Sequence, residues 1–140
     1  MRLEIITPDG TVFEGDAQSV SIPTPDGEIT VLPHHIPLMS IVLPGSVMVR
    51  ENGEERLLAV SRGVIEIDGQ TVRLLVDSAD RAEELEEQVI EKAKQAAEKL
   101  RTERREDAEG FAEATALLER ELARLTTVRR RARRSLPPSA

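Results

Sequence analysis

Asp26-Gly27-Glu28-Ile29-Thr30-Val31-Leu32-Pro33-His34-His35-Ile36-Pro37-Leu38-Met39-Ser40-Ile41-Val42-Leu43-Pro44-Gly45 is the stretch whose reading decides the fold. Asp26-Gly27 is a turn signal, Ile29 to Val31 is a short β-branched run, and Pro44-Gly45 is a second turn. Two strands are implied, with Pro33 and Pro37 bracketing His34, His35 and Ile36 between them. Each proline withholds a backbone donor and biases its predecessor toward extended geometry, so the link reads as a stiff, exposed loop.

Outward from this segment, from Met1 to about Ala79, the chain is a series of short runs punctuated by Asp9-Gly10, Gly15-Asp16, Asn52-Gly53 and Asp68-Gly69. Asn52-Gly53 and Asp68-Gly69 are the strongest hairpin signals, because both central residues of a type I′ turn need positive φ. Val47 and Val49 precede the first turn and Leu58 and Val60 follow it; Ile65, Ile67, Val72, Leu74 and Val76 surround the second. Period-2 alternation puts each set on one face. Many short antiparallel strands with tight turns imply a β-sandwich or flattened barrel over residues 1–79.

After Asp77 the turn signals give way to Ala, Glu, Lys, Gln, Arg and Leu, the strong helix formers, to about Asp107. Asp77, Ser78 and Asp80 are candidate caps for a helix beginning near residue 80. Leu85, Val89, Ala93, Ala96 and Leu100 draw one apolar stripe. Past a break near Gly110, Phe111, Ala114, Leu118, Leu122 and Leu125 draw a second. The fold class is therefore α+β: an amino-terminal antiparallel β-sandwich, then an antiparallel two-helix hairpin over residues 80–135. Residues 136–140, with Pro137-Pro138, read as a frayed tail. A hairpin of this size buries one seam and needs a surface to dock on, so its attachment is expected to be conditional.

The 140 residues carry a formal net charge of -7, no Cys, no Trp, no Tyr and two Phe. The core must be aliphatic, and the missing cysteines exclude disulfides and thiolate chemistry. No apolar stretch approaches the roughly twenty residues that span a bilayer, and Met1 to Gly10 lacks the apolar core of a signal peptide; the chain reads as unexported. No nucleophile elbow, phosphate-cradling glycine loop or zinc-protease motif is present, so no active site is read.

Three features remain as candidates. His34 and His35 are the only histidines, and neighbours in extended geometry point apart, which argues against a metal site. Glu28 reads as a solvated carboxylate at a strand end. Arg129, Arg130, Arg131, Arg133 and Arg134 exceed what one helix terminus needs, and without aromatic side chains to stack on bases they suit an acidic protein surface better than nucleic acid.

The pattern Gly27, Glu28, Leu32, Pro33, His35, Pro37, Leu38, Pro44, Gly45 closely resembles the epsilon subunit of rotary ATP synthases. Ser61 to Ile67 and Ala79 to Glu83 extend the resemblance, with Arg62 where Gly is commoner. It implies a non-catalytic central-stalk subunit without cofactor, peripheral on the cytoplasmic face of the membrane, coupling gamma to the proton-driven ring. Gly27 and Glu28 would face the ring and His35 gamma. The five arginines would face acidic surfaces of the catalytic beta subunits and oppose hydrolysis. The family's nucleotide motif, Ile/Leu-Asp-x-x-Arg-Ala, is matched only by Leu85-Glu86-Glu87-Gln88-Val89-Ile90, and Ala96 replaces a further arginine, so no nucleotide site is expected. The alternative reading is a free-standing adaptor whose basic helix binds an acidic protein or RNA.

Overall fold

The computed structural model describes residues 1–134; the expected tail lies outside them. Ten strands precede two helices: β1 (Arg2–Thr7), β2 (Gly10–Asp16), β3 (Ser19–Thr24), β4 (Gly27–Val31), β5 (Leu38–Val42), β6 (Gly45–Glu51), β7 (Glu54–Val60), β8 (Gly63–Ile67), β9 (Thr71–Val76), β10 (Ala79–Arg81), α1 (Glu87–Glu103) and α2 (Ala108–Arg134). Sheet A has the order β2-β1-β9-β8-β5 and sheet B the order β10-β7-β6-β3-β4. Every pairing is antiparallel except β1 with β9, which sets Leu3 opposite Val72 and Ile5 opposite Leu74.

The two sheets close on the aliphatic core that the alternation predicts. Val47, Val49, Leu58 and Val60 enter it from sheet B, and Ile65, Ile67, Val72, Leu74 and Val76 from sheet A. Phe13 is the one aromatic side chain among them. At the first hairpin, Asn52 (φ 51°) and Gly53 (φ 79°) are both left-handed, as a type I′ turn requires. The second hairpin differs from the expectation. Asp68 keeps ordinary backbone geometry and flanks the turn, whose central residues are Gly69 (φ 99°) and Gln70. Its amide donates to the Thr71 carbonyl (3.2 Å) and its carboxylate accepts from the amides of Gln70 (3.0 Å) and Thr71 (2.7 Å), so the tight turn is shifted by one residue and reinforced by a side chain.

The helical half departs from the sequence reading in three places. First, the helix does not begin near residue 80. Ala79, Asp80 and Arg81 pair with Val60, Ala59 and Leu58 of β7, Ala82 is fully buried in a 3-10 turn, and α1 starts at Glu87 without a side-chain cap. Strand pairing at an open sheet edge overrides helix propensity here. Second, the buried stripe of α1 runs through Ile90 and Ala97, while Val89 is 60 % exposed. Third, the chain reverses at residues 104–107, and Gly110 lies in the first turn of α2, where a Cβ would meet Oδ2 of Asp107 at 2.6 Å.

The layers are sheet A, sheet B, α2, then α1. α2 lies on β6 and β7, and α1 packs on α2. That placement explains why Ala114, Leu118, Glu121, Ala123, Leu125 and Thr127 are all buried: one helix is covered on two sides. A single stripe read from sequence could not show this, because the second covered face carries Ala and Thr rather than large apolar residues.

Candidate functional site

The proline-bracketed loop crosses from β4 in sheet B to β5 in sheet A. The amide of His35 donates to the carbonyl of Leu32 (3.2 Å), and His34 adopts φ 68°, a left-handed conformation uncommon outside glycine. Nδ1 of His35 lies 2.7 Å from the Ile36 carbonyl; a carbonyl only accepts, so Nδ1 carries the proton. Among the described residues no three metal-ligating side chains converge.

This loop begins a continuous apolar surface. Leu32 and Ile36 (75 % exposed) lead onto Met39 (71 % exposed) and Ile41 of the edge strand β5. Ile41 pairs with Val64, Val64 with Leu75, and Leu75 with Ile6, forming one cross-strand row on the outer face of sheet A. The neighbouring row, Met39, Glu66, Arg73 and Glu4, is mostly charged, with Arg73 Nε donating to Glu4 Oε2 at 3.0 Å. That guanidinium, helped by Arg2, holds the Glu4 carboxyl below its ordinary range. An exposed apolar row flanked by charge has the make-up of a protein interface. Sequence reading named His35 here and missed Met39, Ile41, Val64 and Leu75. The available signal was the apolar residue standing out of phase in each alternating strand.

Glu28 lies on the other sheet, second in β4 and half exposed, after the turn closed by Thr24 Oγ1 on the Gly27 carbonyl (2.7 Å) with Gly27 at φ +107°. The structure brings Glu28 together with the basic end of α2: Arg130 Nη1 is 3.4 Å from Glu28 Oε2. The other arginines divide. Arg129 Nε donates to Glu87 Oε1 at 2.9 Å, with Nη2 3.6 Å from Glu91, so it ties α2 to α1. Arg134 donates to Glu55 on β7. Arg134, then Arg50, holds the Glu55 carboxyl below its ordinary range. Arg131 and Arg133 are exposed and form no ion pair among the described residues. The cluster expected to reach outward is thus largely folded back onto the chain's own carboxylates.

Between these ties, α2 meets sheet B through small and polar groups. Leu57, Ala59 and Ser46 are buried on the face opposite the core, and Ser46 Oγ is 2.6 Å from Thr127 Oγ1. Arg124 Nε donates to Asp80 Oδ2 at 2.8 Å and Nη1 to Glu121 Oε1 at 3.1 Å, while Glu121 Oε2 is buried without a partner. Arg62 reaches Glu119 at 3.6 Å. Leu85, Val89, Ile90 and Ala93 line a cleft of about 320 Å³ with Glu84, Glu86, Glu121 and Arg124, so carboxylates outnumber cations where the family motif would sit.

Residues 1–82 match the family model described as ATP synthase, Delta/Epsilon chain, beta-sandwich domain. The ATP synthase epsilon chain of Alkalilimnicola ehrlichii is 35 % identical over 136 residues, covering 96 % of each chain. That of Chloroflexus aggregans is 38 % identical over 94 residues, covering 67 % of this chain and 68 % of its own. Among solved structures, a chain of the cryo-EM structure of the Euglena gracilis mitochondrial ATP synthase, OSCP/F1/c-ring, superposes with a TM-score of 0.70 at 20 % identity, over 93 % of this chain and 79 % of that one.

Proposed function

The chain belongs to the ATP synthase delta/epsilon family, among the epsilon chains, and from that membership we propose that its β-sandwich joins gamma to the membrane ring while its hairpin acts as a movable brake on hydrolysis. The observation that carries this reading is the exposed apolar row Ile41, Val64, Leu75 with Met39 and Ile36 beside it. An isolated protein gains nothing by leaving such a surface in water, and a partner that covers it gains about 25 cal/mol for each Å² of apolar area. Gamma is the occupant, with His35 at the rim of its contact. Glu28, on the opposite sheet, meets the ring.

The subunit is an accessory one, without catalysis of its own: rotation is transmitted through contact surfaces, and no group of the β-sandwich needs to change covalently. No described helix is long and apolar enough to cross a membrane, so attachment runs through the assembled complex, on the cytoplasmic face of the membrane. The carboxylate-rich cleft at Leu85 to Ile90 repels a polyphosphate, which supports the absence of nucleotide sensing. The adaptor reading is not favoured, because relatives named for one role match this chain over nearly its whole length.

The docked hairpin is the resting pose of the brake. Its contact with sheet B sets Leu57 among the small and hydroxylic groups of Ala59, Ser46 and Thr127, so α2 on leaving exposes less apolar surface than a leucine-rich seam would. The extended pose would free Arg129, Arg130 and Arg134 to join Arg131 and Arg133 against acidic surfaces of the catalytic head. Co-purification with gamma tests the coupling half. The full chain carrying Ile41→Glu and Val64→Glu should keep its unfolding midpoint and lose gamma, and unchanged gamma binding would overturn it. Hydrolysis by the catalytic head tests the brake, using the full chain and one ending at Glu84, both bound to gamma. Faster hydrolysis with the shorter chain supports the brake; equal rates remove it.

A further inference from the structure

We propose that Glu28 is a shared carboxylate, held by Arg130 of the docked hairpin in the isolated chain and surrendered to a basic partner surface on assembly, so that ring contact and hairpin docking oppose each other. The inference rests on the reading of Glu28 as the ring-facing residue and concerns how that contact is regulated.

The ties along α2 differ in kind from one end to the other. As far as Thr127 the helix is held by burial: Ala114, Leu118, Ala123, Leu125 and Thr127 are all covered. Beyond Thr127 none of the described residues is buried, and the last turns are tied by ion pairs of Arg129 with Glu87 and Glu91, Arg130 with Glu28, and Arg134 with Glu55. Of these, Arg129 fastens α2 to α1 and travels with the hairpin. Among the described residues, the ion pairs that fasten the basic end of α2 to the β-sandwich are those of Arg130 and Arg134, so removing either changes a large share of the local electrostatic attachment.

The Arg130 tie is built to be exchanged. At 3.4 Å it is looser than the 2.8 Å contact of Arg124 with Asp80, and Glu28 remains 48 % exposed at its side chain, open to an incoming group. A carboxylate in that position offers a second cation the same Coulomb attraction, and only one guanidinium or ammonium can occupy its best geometry. Linkage then requires reciprocity: a partner that takes Glu28 loosens α2 by the factor by which a docked α2 weakens that partner. An exposed pair of this kind sets the factor at about two- to fivefold.

The experiment uses the full chain added to a membrane ring and gamma subcomplex lacking it, at low ionic strength. Affinity is measured for the parent, Arg130→Gln, Glu28→Gln and the double variant, together with amide exchange of residues 128–134 in the free and bound chain. Competition predicts that Arg130→Gln tightens binding about two- to fivefold when Glu28 is present and leaves it unchanged in the Glu28→Gln background. It also predicts that binding speeds exchange of residues 128–134 in the parent. If Glu28→Gln weakens binding but Arg130→Gln matches the parent, the ring contact stands and the competition is overturned. If Glu28→Gln binds as the parent does, both the contact and the competition fall.

Discussion

Arg130 Nη1 and Glu28 Oε2 lie 3.4 Å apart across 102 residues of sequence, joining the basic end of α2 to the strand that follows the Asp26-Gly27 turn. The residues singled out for opposite ends of a rotary motor therefore touch each other in the docked chain. Three of the five arginines, Arg129, Arg130 and Arg134, are thus paired with the chain's own carboxylates in the docked hairpin.

The first prediction concerns salt. Because the last turns of α2 are held by exposed ion pairs, raising ionic strength from about 0.1 M to about 1 M cuts the screening length from about 10 Å to about 3 Å and should loosen them. Amides of residues 128–134 are expected to exchange several-fold faster, while those of β6 and β7, paired from Gly45 to Val60, hold their rates. Equal acceleration in both places would show that the attachment is not electrostatic.

The buried hydroxyl pair gives a prediction with a direction. Thr127 Oγ1 donates its one proton to the Ala123 carbonyl at 2.7 Å, so Ser46 must be the donor in the 2.6 Å contact with Thr127. Thr127→Val strands that buried donor and should weaken docking of α2 by about 1–3 kcal/mol, whereas Ser46→Ala removes it and costs less. The double variant should recover most of the loss. Exchange protection of α2 reads all three, and a double variant worse than Thr127→Val would refute the assigned direction.

Gly63 makes a third test, aimed at the β-sandwich alone. It pairs with both Val42 and Val76, and a Cβ there would stand 2.0 Å from the Leu75 carbonyl oxygen and 2.7 Å from the Val76 Cα. Both obstacles are backbone inside a sheet, so Gly63→Ala should destabilise by about 1–3 kcal/mol or more. Urea unfolding of the full chain measures it. A change within about 0.5 kcal/mol, typical of a surface site, would contradict the packing at β8 and β9.

Much of this architecture was legible because one period dominated each element. Val47 to Val76 alternate cleanly, so the core face of β6 to β9 followed from spacing. What spacing hid was any residue answering to two neighbours. α2 is covered by sheet B and α1 together, which spreads its buried positions over Glu121, Ala123, Leu125 and Thr127 instead of one stripe. Ala79 to Arg81 carry helix-compatible residues but are captured by the edge of β7. The apolar row Ile41, Val64, Leu75 sits out of phase with the core and emerges only when register brings three strands together. Glu28 and Arg130 were each visible as charges, but their meeting depends on the docking angle of α2.

The last prediction is for acid. Arg134 and then Arg50 hold the Glu55 carboxyl below its ordinary 4.5 in the docked chain. A carboxylate whose pKa is lowered by folding stabilises the folded form fully above its ordinary value and loses that contribution as pH falls through the lowered one. Arg50 Nη2, 2.6 Å from Glu55 within sheet B, stays in place when α2 leaves, so only the part due to Arg134 is tied to docking. Arg56, Glu83 and Arg131 line the same cleft and add to the charged surroundings. At neutral pH Glu55→Gln should therefore raise the exchange rate of residues 128–134 relative to the parent at the same pH, by no more than a few-fold for an exposed pair. The ratio should stay constant down to about pH 4.5 and approach one below it as the parent carboxyl protonates. A ratio that persisted in acid would mean that Glu55 acts through its shape and not its charge.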